Sequence, residues 1–319
     1  MTSSAATTRF SISEALQTPF QLLRHQPLAL FAWGAMRVVL TIVAFSLLLP
    51  MLAAMPFGQA STPEEMERVI TNFMPIQGGI GLMNIFGLLL SVIIWTAAMR
   101  ATMAPVGTKD RFLFLRLGFD EVYVGVVMLV IVVGLYFGTF VLTLIGAVLC
   151  AILWQINEVS AVLITIAYGL AVFFAALWAA GRATLFIPTS LALHTIAFEQ
   201  GWRLGKGQGW RLAATGVLAW LILMAVTMVI GGVVIAVFFI AALMLHVSLP
   251  NPDDIHSFAD LTEFGRPFLI PALVMAIPLA LFDGFTHAMF GGPVASACKQ
   301  LMHAAEISNE GDADPTPAL

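Results

Sequence analysis

The feature that most constrains this chain is a series of long apolar runs separated by short polar segments. A helix needs roughly 20 predominantly apolar residues to cross the ~30 Å hydrocarbon core of a bilayer. Six runs reach that length, near residues 28–55, 76–99, 122–154, 159–187, 211–249 and 267–298. The sequence therefore predicts an all-α integral membrane protein with about six transmembrane helices. We expect one transmembrane domain over residues 1–305 and a disordered cytoplasmic tail over 306–319.

Composition agrees with a membrane protein and argues against several other classes. Of the 319 residues, 60% are hydrophobic and 10% are charged, whereas soluble domains carry about 25% charged residues. The net charge of −4 provides no basic field for nucleic acid. Cys150 and Cys298 form no CxxC pair, and phosphate-loop, His-Glu-x-x-His and Gly-x-Ser-x-Gly motifs do not occur. We expect no nucleic-acid partner, no metal, no cofactor, no catalytic residues and no enzymatic activity.

Two of the runs have features that a straight crossing does not explain. The run 211–249 would be roughly 58 Å long as a helix, so it must tilt, kink near Gly231-Gly232 or project from the bilayer. The last run contains Pro271, Pro278 and Pro293, which break the backbone hydrogen-bond ladder. Because freed carbonyls are tolerated in a membrane only where protein or water satisfies them, we expect this span to be kinked and buried.

Lysine and arginine counts predict the orientation of the chain, because cytoplasmic loops carry an excess of these residues. Of the 14 lysines and arginines, eleven lie on one side of the spans, Arg68 and Arg266 lie on the other, and Arg37 lies inside the first span. The eleven are Arg9, Arg24, Arg100, Lys109, Arg111, Arg116, Arg182, Arg203, Lys206, Arg211 and Lys299. This bias predicts that both termini are cytoplasmic.

Three basic segments resemble one another and precede the first, third and fifth spans. They are Leu22-Leu23-Arg24-His25, Phe114-Leu115-Arg116-Leu117-Gly118 and Gly201-Trp202-Arg203-Leu204-Gly205. The second and fourth spans also end alike, with Arg-Ala-Thr at Arg100 and at Arg182. We therefore predict three repeats of an interfacial helix followed by a transmembrane hairpin. Each predicted interfacial helix, including its basic segment, is called an elbow below: elbow 1 (11–25), elbow 2 (111–119) and elbow 3 (198–206).

The elbows are amphipathic and basic, which is typical of helices that face anionic headgroups. Elbow 1 begins with a capping box, Ser11 and Glu14. The candidate headgroup ligands are Arg24, Arg100, Arg111, Arg116, Arg182, Arg203, Lys206 and Arg211. The alternative is that they are ordinary cytoplasmic flanks. Arg100 and Arg182 have a further alternative, since cations at helix C-termini also bind backbone carbonyls.

Two outer connections start with a helix-initiating pattern. Thr62-Pro63-Glu64-Glu65 and Asn251-Pro252-Asp253-Asp254 each combine an N-cap, proline at the first helical position and acids in the first turn. A short acidic helix is expected after each. These helices either pack on the outer mouth of the bundle or form a docking surface or a cation-attracting vestibule.

Ionisable residues inside a span are candidates for function, because placing them there is costly. Arg37 lies within the first span, and Asp283 and His287 are four residues apart on one face of the last. Asp283 and His287 could form a proton relay, a metal site or a structural hydrogen bond. Arg37 could snorkel to the cytoplasmic face or bind a structural partner, and it could also pair with Asp283. Elsewhere, Gly134 and Gly138 have a spacing compatible with close helix contact.

The chain resembles bacterial multipass families, namely YciC-like proteins and the membrane domain of glycerophosphoryl diester phosphodiesterases. The resemblance is carried by Phe10-Ser11-Ile12-Ser13-Glu14 leading to Leu23-Arg24, and by the stretch from Trp202 to Leu212. It implies a six-span protein of the bacterial inner membrane. We expect a non-enzymatic structural or accessory protein that binds anionic lipid and a membrane-protein partner or a second copy. The alternative is a transporter or channel with a pathway near Arg37, Asp283 and His287.

Overall fold

The computed structural model describes residues 10–53, 63–105, 108, 110, 113–245 and 265–312, and within these ranges it contains helices and no strand. The helices are α1 (Ile12–His25), α2 (Pro27–Ala53), α3 (Pro63–Met103), α4 (Phe119–Trp154), α5 (Glu158–Ala183), α6 (Phe186–Leu193), α7 (Phe198–Leu204), α8 (Gly209–Met244) and α9 (Leu269–Asp312). A 3-10 turn, Arg266–Phe268, precedes α9. Helices satisfy their backbone hydrogen bonds internally, as hydrocarbon surroundings require.

Among the described residues, six segments are long and apolar enough to cross a membrane. They are Pro27–Leu49, Gln77–Met103, Phe119–Trp154, Glu158–Leu193, Gly209–Met244 and Arg266–Glu306. Only 6% to 22% of the most apolar window of each segment is buried. Outward apolar side chains are expected here, because lipid tails solvate them as well as a protein core does. The prediction of an all-α multipass membrane protein with six spans is confirmed.

The long fifth and sixth runs each form one continuous helix. The fifth, α8, ends at Met244 and is roughly 54 Å long at 1.5 Å per residue. The sixth, α9, continues through its three prolines and is exposed at Leu273 (73%), but it contains the buried Ala280 (3%) and Met289 (0%). The predicted burial therefore applies only to its later part. It also extends to Asp312, so residues 306–312 are helical where we predicted disorder.

The elbows do not share one conformation. Elbow 1 is the helix α1, and elbow 3 contains α7, as predicted. The prediction of a helix is wrong for the described part of elbow 2, since residues 113–118 form a turn followed by irregular chain. Leu113 and Phe114 have positive φ angles of 54° and 63°, which a right-handed helix cannot contain.

The first outer helix is not a separate short element. Helix α3 begins at Pro63, where an N-terminal start was predicted, and continues without interruption to Met103. The acidic turn is therefore the first turn of the second span's own helix, which continues through Pro75 and Gly78-Gly79 into the apolar run. The second predicted acidic helix, at residues 251–254, lies outside the described residues.

The chain divides into two compact units. Unit 1 comprises residues 1–22, 95–221 and 288–319, and unit 2 comprises residues 23–94 and 222–287. A core cluster in unit 1 joins α1, α8, α9 and the residue before α6. It consists of Phe10, Ala15, Leu185, Leu212, Ala297, Cys298 and Leu301. Elbows 2 and 3 belong to unit 1, and the polar residues of the membrane interior, Arg37, Asp283 and His287, belong to unit 2.

In unit 1, the ends of the second, fourth and sixth spans, which close the three predicted hairpins, each contact an elbow. Arg100 Nη1 donates to the carbonyl of Arg116 at 3.4 Å, and Arg182 Nη2 donates to the carbonyl of Trp202 at 2.8 Å. The amide of Ser11 donates to Gln300 Oε1 at 2.7 Å. A similar contact thus recurs once for each predicted repeat, although the groups that make it differ.

Candidate functional site

The polar residues of unit 2 form one cluster that three helices build. Arg37 comes from α2, Ser91 from α3, and Asp283 and His287 from α9. Arg37 Nε lies 3.2 Å from Asp283 Oδ2, and Arg37 Nη1 donates to Ser91 Oγ at 2.6 Å. The side chains of Arg37 and Asp283 are 35% and 31% exposed. The ion pair that we considered from the sequence is present, and it is only partly enclosed.

His287 completes this cluster from a buried position, with a side chain 9% exposed. Its Nδ1 lies 2.8 Å from the backbone carbonyl of Asp283, and because a carbonyl can only accept, Nδ1 carries the proton. Its Nε2 lies 3.5 Å from Arg37 Nη1. This geometry fits a neutral imidazole that accepts from the guanidinium. The opposite charges of Arg37 and Asp283 then cancel, so the cluster carries no net charge.

Two glycines set the distance between α2 and α9 at this cluster. A Cβ atom on Gly34 would overlap the backbone carbonyl of Ala280, and a Cβ atom on Gly284 would overlap that of Leu30. Gly34 lies one turn before Arg37, and Gly284 follows Asp283 directly. The absence of side chains at these positions therefore lets the helices approach closely enough to pair the two charges.

Arg37 also faces an open cleft between α2 and α3. The cleft has a volume of about 570 Å³ and is lined by Arg37, Leu40, Thr41, Ala44, Phe45, Leu48, Ile80, Met83, Asn84, Gly87, Leu88 and Ser91. Its polar groups lie on both helices, whereas the rest of its lining is apolar. Among the described residues, Arg37 Nη2 has no hydrogen-bond partner. A polar solute or water in this cleft would find unused donors.

A second arginine cluster lies at the ends of the helices in unit 1 and was not predicted. Arg100 Nη1 lies 2.6 Å from Glu121 Oε1, and Nη2 lies 3.0 Å from Asp120 Oδ2. Both acids are in the first turn of α4, where the helix dipole favours negative charge. Asp120 Oδ1 also contacts His194 Nδ1 at 2.8 Å. Arg100 is 17% exposed and binds within the protein, so it is not available as a headgroup ligand.

Arg182 is likewise occupied by the protein. Its guanidinium lies over the Trp202 ring, 3.9 Å from the centroid, and 5.6 Å from the centroid of Trp178. It also donates to the Trp202 carbonyl, as described above. Such stacking contributes roughly 0.5–2 kcal/mol according to how far the pair is desolvated. Carbonyl binding was one of our two alternatives for Arg100 and Arg182, but the carbonyls belong to the following elbow instead of the same helix.

The other candidate headgroup ligands differ in their availability. Arg116 is 66% exposed but pairs with Asp110 at 2.8 Å, and Arg211 is half-buried over the Phe10 ring. Arg24, Arg203 and Lys206 are exposed. The remaining candidate, Arg111, lies outside the described residues. The structure therefore reduces the eight candidates to a smaller set of freely accessible cations.

Two of these accessible cations line a cavity in unit 1. It has a volume of about 760 Å³ and lies between α6, α7 and the end of α9. Its lining consists of Thr189, Leu193, Gln200, Arg203, Leu204, Lys206, Gln208, Leu301, Met302, Ala305 and Glu306. We call it the basic-end cavity.

Sequence reasoning missed Asp120, Glu121, His194 and Ser91. Two acids at the start of a span were a usable signal, because a charge in that position needs a partner. The sequence around Ser91 and His194 contained no such signal.

Within the described residues, no three His, Cys, Asp or Glu side chains meet as a metal site would require. Comparison of the chain with protein-family models, curated proteins and solved structures found no match.

Proposed function

We propose that this multipass membrane protein is a non-enzymatic structural or accessory protein that binds the anionic phosphate groups of phospholipids through elbow 3. The observation that carries the proposal is the availability of Arg203 and Lys206. Arg203 is 80% exposed and its nearest acid, Glu199, is 3.9 Å away. Lys206 has no ion-pair partner among the described residues. Exposed pairs at such distances contribute little, so both cations are free to bind phosphate.

Aromatic residues next to these cations support the proposal. Trp202 and Trp210 are 40% and 55% exposed, and tryptophan is enriched where a membrane meets water. We further propose a bacterial inner membrane as the location, with both termini in the cytoplasm, where the anionic leaflet would attract these cations. Reporter fusions to the C-terminus that are active only in the cytoplasm test the orientation.

Lipid retention by the purified protein tests the binding. The double variant Arg203→Gln/Lys206→Gln should retain less phosphatidylglycerol in native mass spectrometry, since each cation near an anionic surface contributes about 1 kcal/mol, or roughly fivefold. Arg116→Gln is the matched control, because Arg116 is exposed but already paired with Asp110. Equal retention by the double variant and the native chain would contradict the proposal.

The accessory role makes a separate prediction about partners. Gentle extraction from the native membrane, followed by native mass spectrometry, should detect a second membrane protein or a second copy of this chain in fixed ratio. A monomer with lipid alone would contradict the accessory role and leave the lipid-binding proposal standing.

The cleft at Arg37 favours a second candidate function, a pathway for protons or small solutes. Arg37, whose side chain is 35% exposed, borders this cleft, where Thr41, Asn84 and Ser91 are the other polar positions in a mainly apolar lining. Liposomes containing the protein and a pH-sensitive dye test the proton pathway. Asp283→Asn should abolish the proton flux, and Glu199→Gln, an exposed carboxylate of unit 1, should not. A flux no greater than that of protein-free liposomes would reject the pathway.

A further inference from the structure

The basic-end cavity has the size and position of a headgroup site. Its volume of about 760 Å³ lies within the range of about 300–1,000 Å³ that is typical of small-ligand pockets. Leu193 and Glu306, which line it, end two of the segments that are apolar enough to span a membrane, and elbow 3, which supplies Arg203 and Lys206, is a basic amphipathic segment of the kind that faces headgroups. Under the proposed topology, the cavity therefore lies on the cytoplasmic side, next to the phospholipid headgroups.

Charges of both signs line this cavity. Arg203 and Lys206 belong to elbow 3, and Glu306 belongs to α9. Arg203 contacts Glu199 at 3.9 Å and Glu306 contacts His303 at 3.9 Å, with every one of these side chains more than 70% exposed. Contacts this long between exposed groups neutralise little charge. Two cations and one carboxylate thus remain available to a single ligand.

Each of these groups matches one part of a zwitterionic phosphodiester. A phosphate accepts charge-assisted hydrogen bonds from a guanidinium and an ammonium group, which Arg203 and Lys206 supply. A primary ammonium group on the ligand would donate to Glu306. A headgroup that carries only negative charge would leave that carboxylate unpaired. Leu301 and Met302 provide an apolar wall for the carbon chain next to the phosphate.

We propose that the basic-end cavity binds a phosphodiester that carries a primary ammonium group, of the phosphoethanolamine type. This inference rests on the proposed function, because it names the headgroup that elbow 3 holds. It adds a role for Glu306 that general attraction to an anionic membrane does not require.

Competition between lipids tests the assignment. The delipidated full chain is offered equal amounts of phosphatidylethanolamine, phosphatidylglycerol and phosphatidylcholine, and retained lipid is counted by native mass spectrometry. The native protein should prefer phosphatidylethanolamine, since the trimethylated amine of phosphatidylcholine cannot donate to Glu306. Glu306→Gln should reduce this preference up to about fivefold, since an ion pair between exposed groups contributes no more than about 1 kcal/mol. Glu199→Gln, on the same helix as Arg203 but outside the cavity lining, should not.

The variants separate failure of this inference from failure of the proposed function. If Glu306→Gln leaves the preference unchanged while Arg203→Gln/Lys206→Gln lowers retention of every phospholipid, the zwitterion assignment is overturned and lipid binding stands. If the double variant changes nothing, both are overturned. Soluble glycerophosphoethanolamine identifies the source of the ligand: displacement of the lipid indicates that the headgroup suffices, and no displacement at millimolar concentration indicates that the site requires the whole lipid.

Discussion

Arg100 in unit 1 and Arg37 in unit 2 show two ways in which a membrane protein can accommodate a guanidinium. Arg100 is 17% exposed and binds two carboxylates and two backbone carbonyls. Arg37 is 35% exposed, binds one carboxylate, one serine and one histidine, and borders an open cleft. Arg100 therefore uses its hydrogen-bond donors within the fold. Arg37 keeps a donor nitrogen without a protein partner among the described residues, which leaves it able to bind water or a solute in the cleft.

The largest effect should come from breaking the Arg100 cluster. Arg100→Met leaves Glu121, 9% exposed, without its counter-ion, and leaves Asp120, 22% exposed, with His194 alone. Removing one partner of a buried pair costs about 3–5 kcal/mol. Unfolding by sodium dodecyl sulfate in mixed micelles measures the loss. Arg116→Met, whose side chain is 66% exposed, should cost no more than about 1 kcal/mol. Equal losses in the two variants would show that the Arg100 cluster does not stabilise the fold.

Gly34→Ala should have the next largest effect, because it separates the helices that present Arg37 and Asp283. The added methyl group would overlap the Ala280 carbonyl, and overpacking of this kind costs about 1–3 kcal/mol. Gly231→Ala is the control, since a Cβ atom there has no neighbour within 4 Å. The same unfolding experiment compares the two. A stable Gly34→Ala protein would indicate that α2 and α9 can move apart.

Removing the charges of the Arg37 cluster should affect stability less than activity. Asp283→Asn should cost about 1–2 kcal/mol, less than an enclosed pair, since both partners are about one third exposed. Arg37→Met/Asp283→Leu should recover most of that loss, because an apolar pair often replaces an ion pair without penalty. Proton flux should be absent from both variants. A double variant that is stable and still conducts would place the pathway elsewhere.

The smallest effect on stability should come from elbow 3. Arg203→Gln should change the free energy of unfolding by less than about 0.5 kcal/mol, as usual for surface substitutions. Arg182→Gln should cost about 1–2 kcal/mol, because it removes the stacking on Trp202 and the bond to its carbonyl. Lipid retention should show the opposite order. If Arg203→Gln unfolds the protein, the arginine has a structural contact that its exposure does not suggest.

Local patterns predicted the helix starts but not always the partners of their polar groups. The hydroxyl of Ser11 accepts the Glu14 amide at 3.3 Å, as a capping box requires. The Ser11 amide, however, donates to Gln300 on α9 instead of to Glu14. A glutamine almost 290 residues away replaced the local acceptor, and no local pattern contains that information.

Glycine spacing was a poor guide to helix contact. A Cβ atom on Gly134 or Gly138 would meet nothing within 4 Å, so the one GxxxG spacing that we noted makes no close contact among the described residues. Close approaches occur instead at Gly34 and Gly284, which lie on separate helices, and at Gly181, where a Cβ atom would overlap the backbone of Ala213 on α8. Pattern within one helix cannot show which other helix will lie against it.

The sequence alone determined the six spans, because the stability of a helix in lipid depends on the length and polarity of its own run. It also identified Arg37, in the first span, and Asp283 and His287, in the last span, as ionisable groups that are costly to place in a membrane. Only the tertiary structure decided that Arg37 is partly open while Arg100 is enclosed, and that two carboxylates of α4 balance Arg100. The physical reason is that burial and charge pairing depend on which helices become neighbours, and in lipid that choice depends on contacts between residues far apart in the chain.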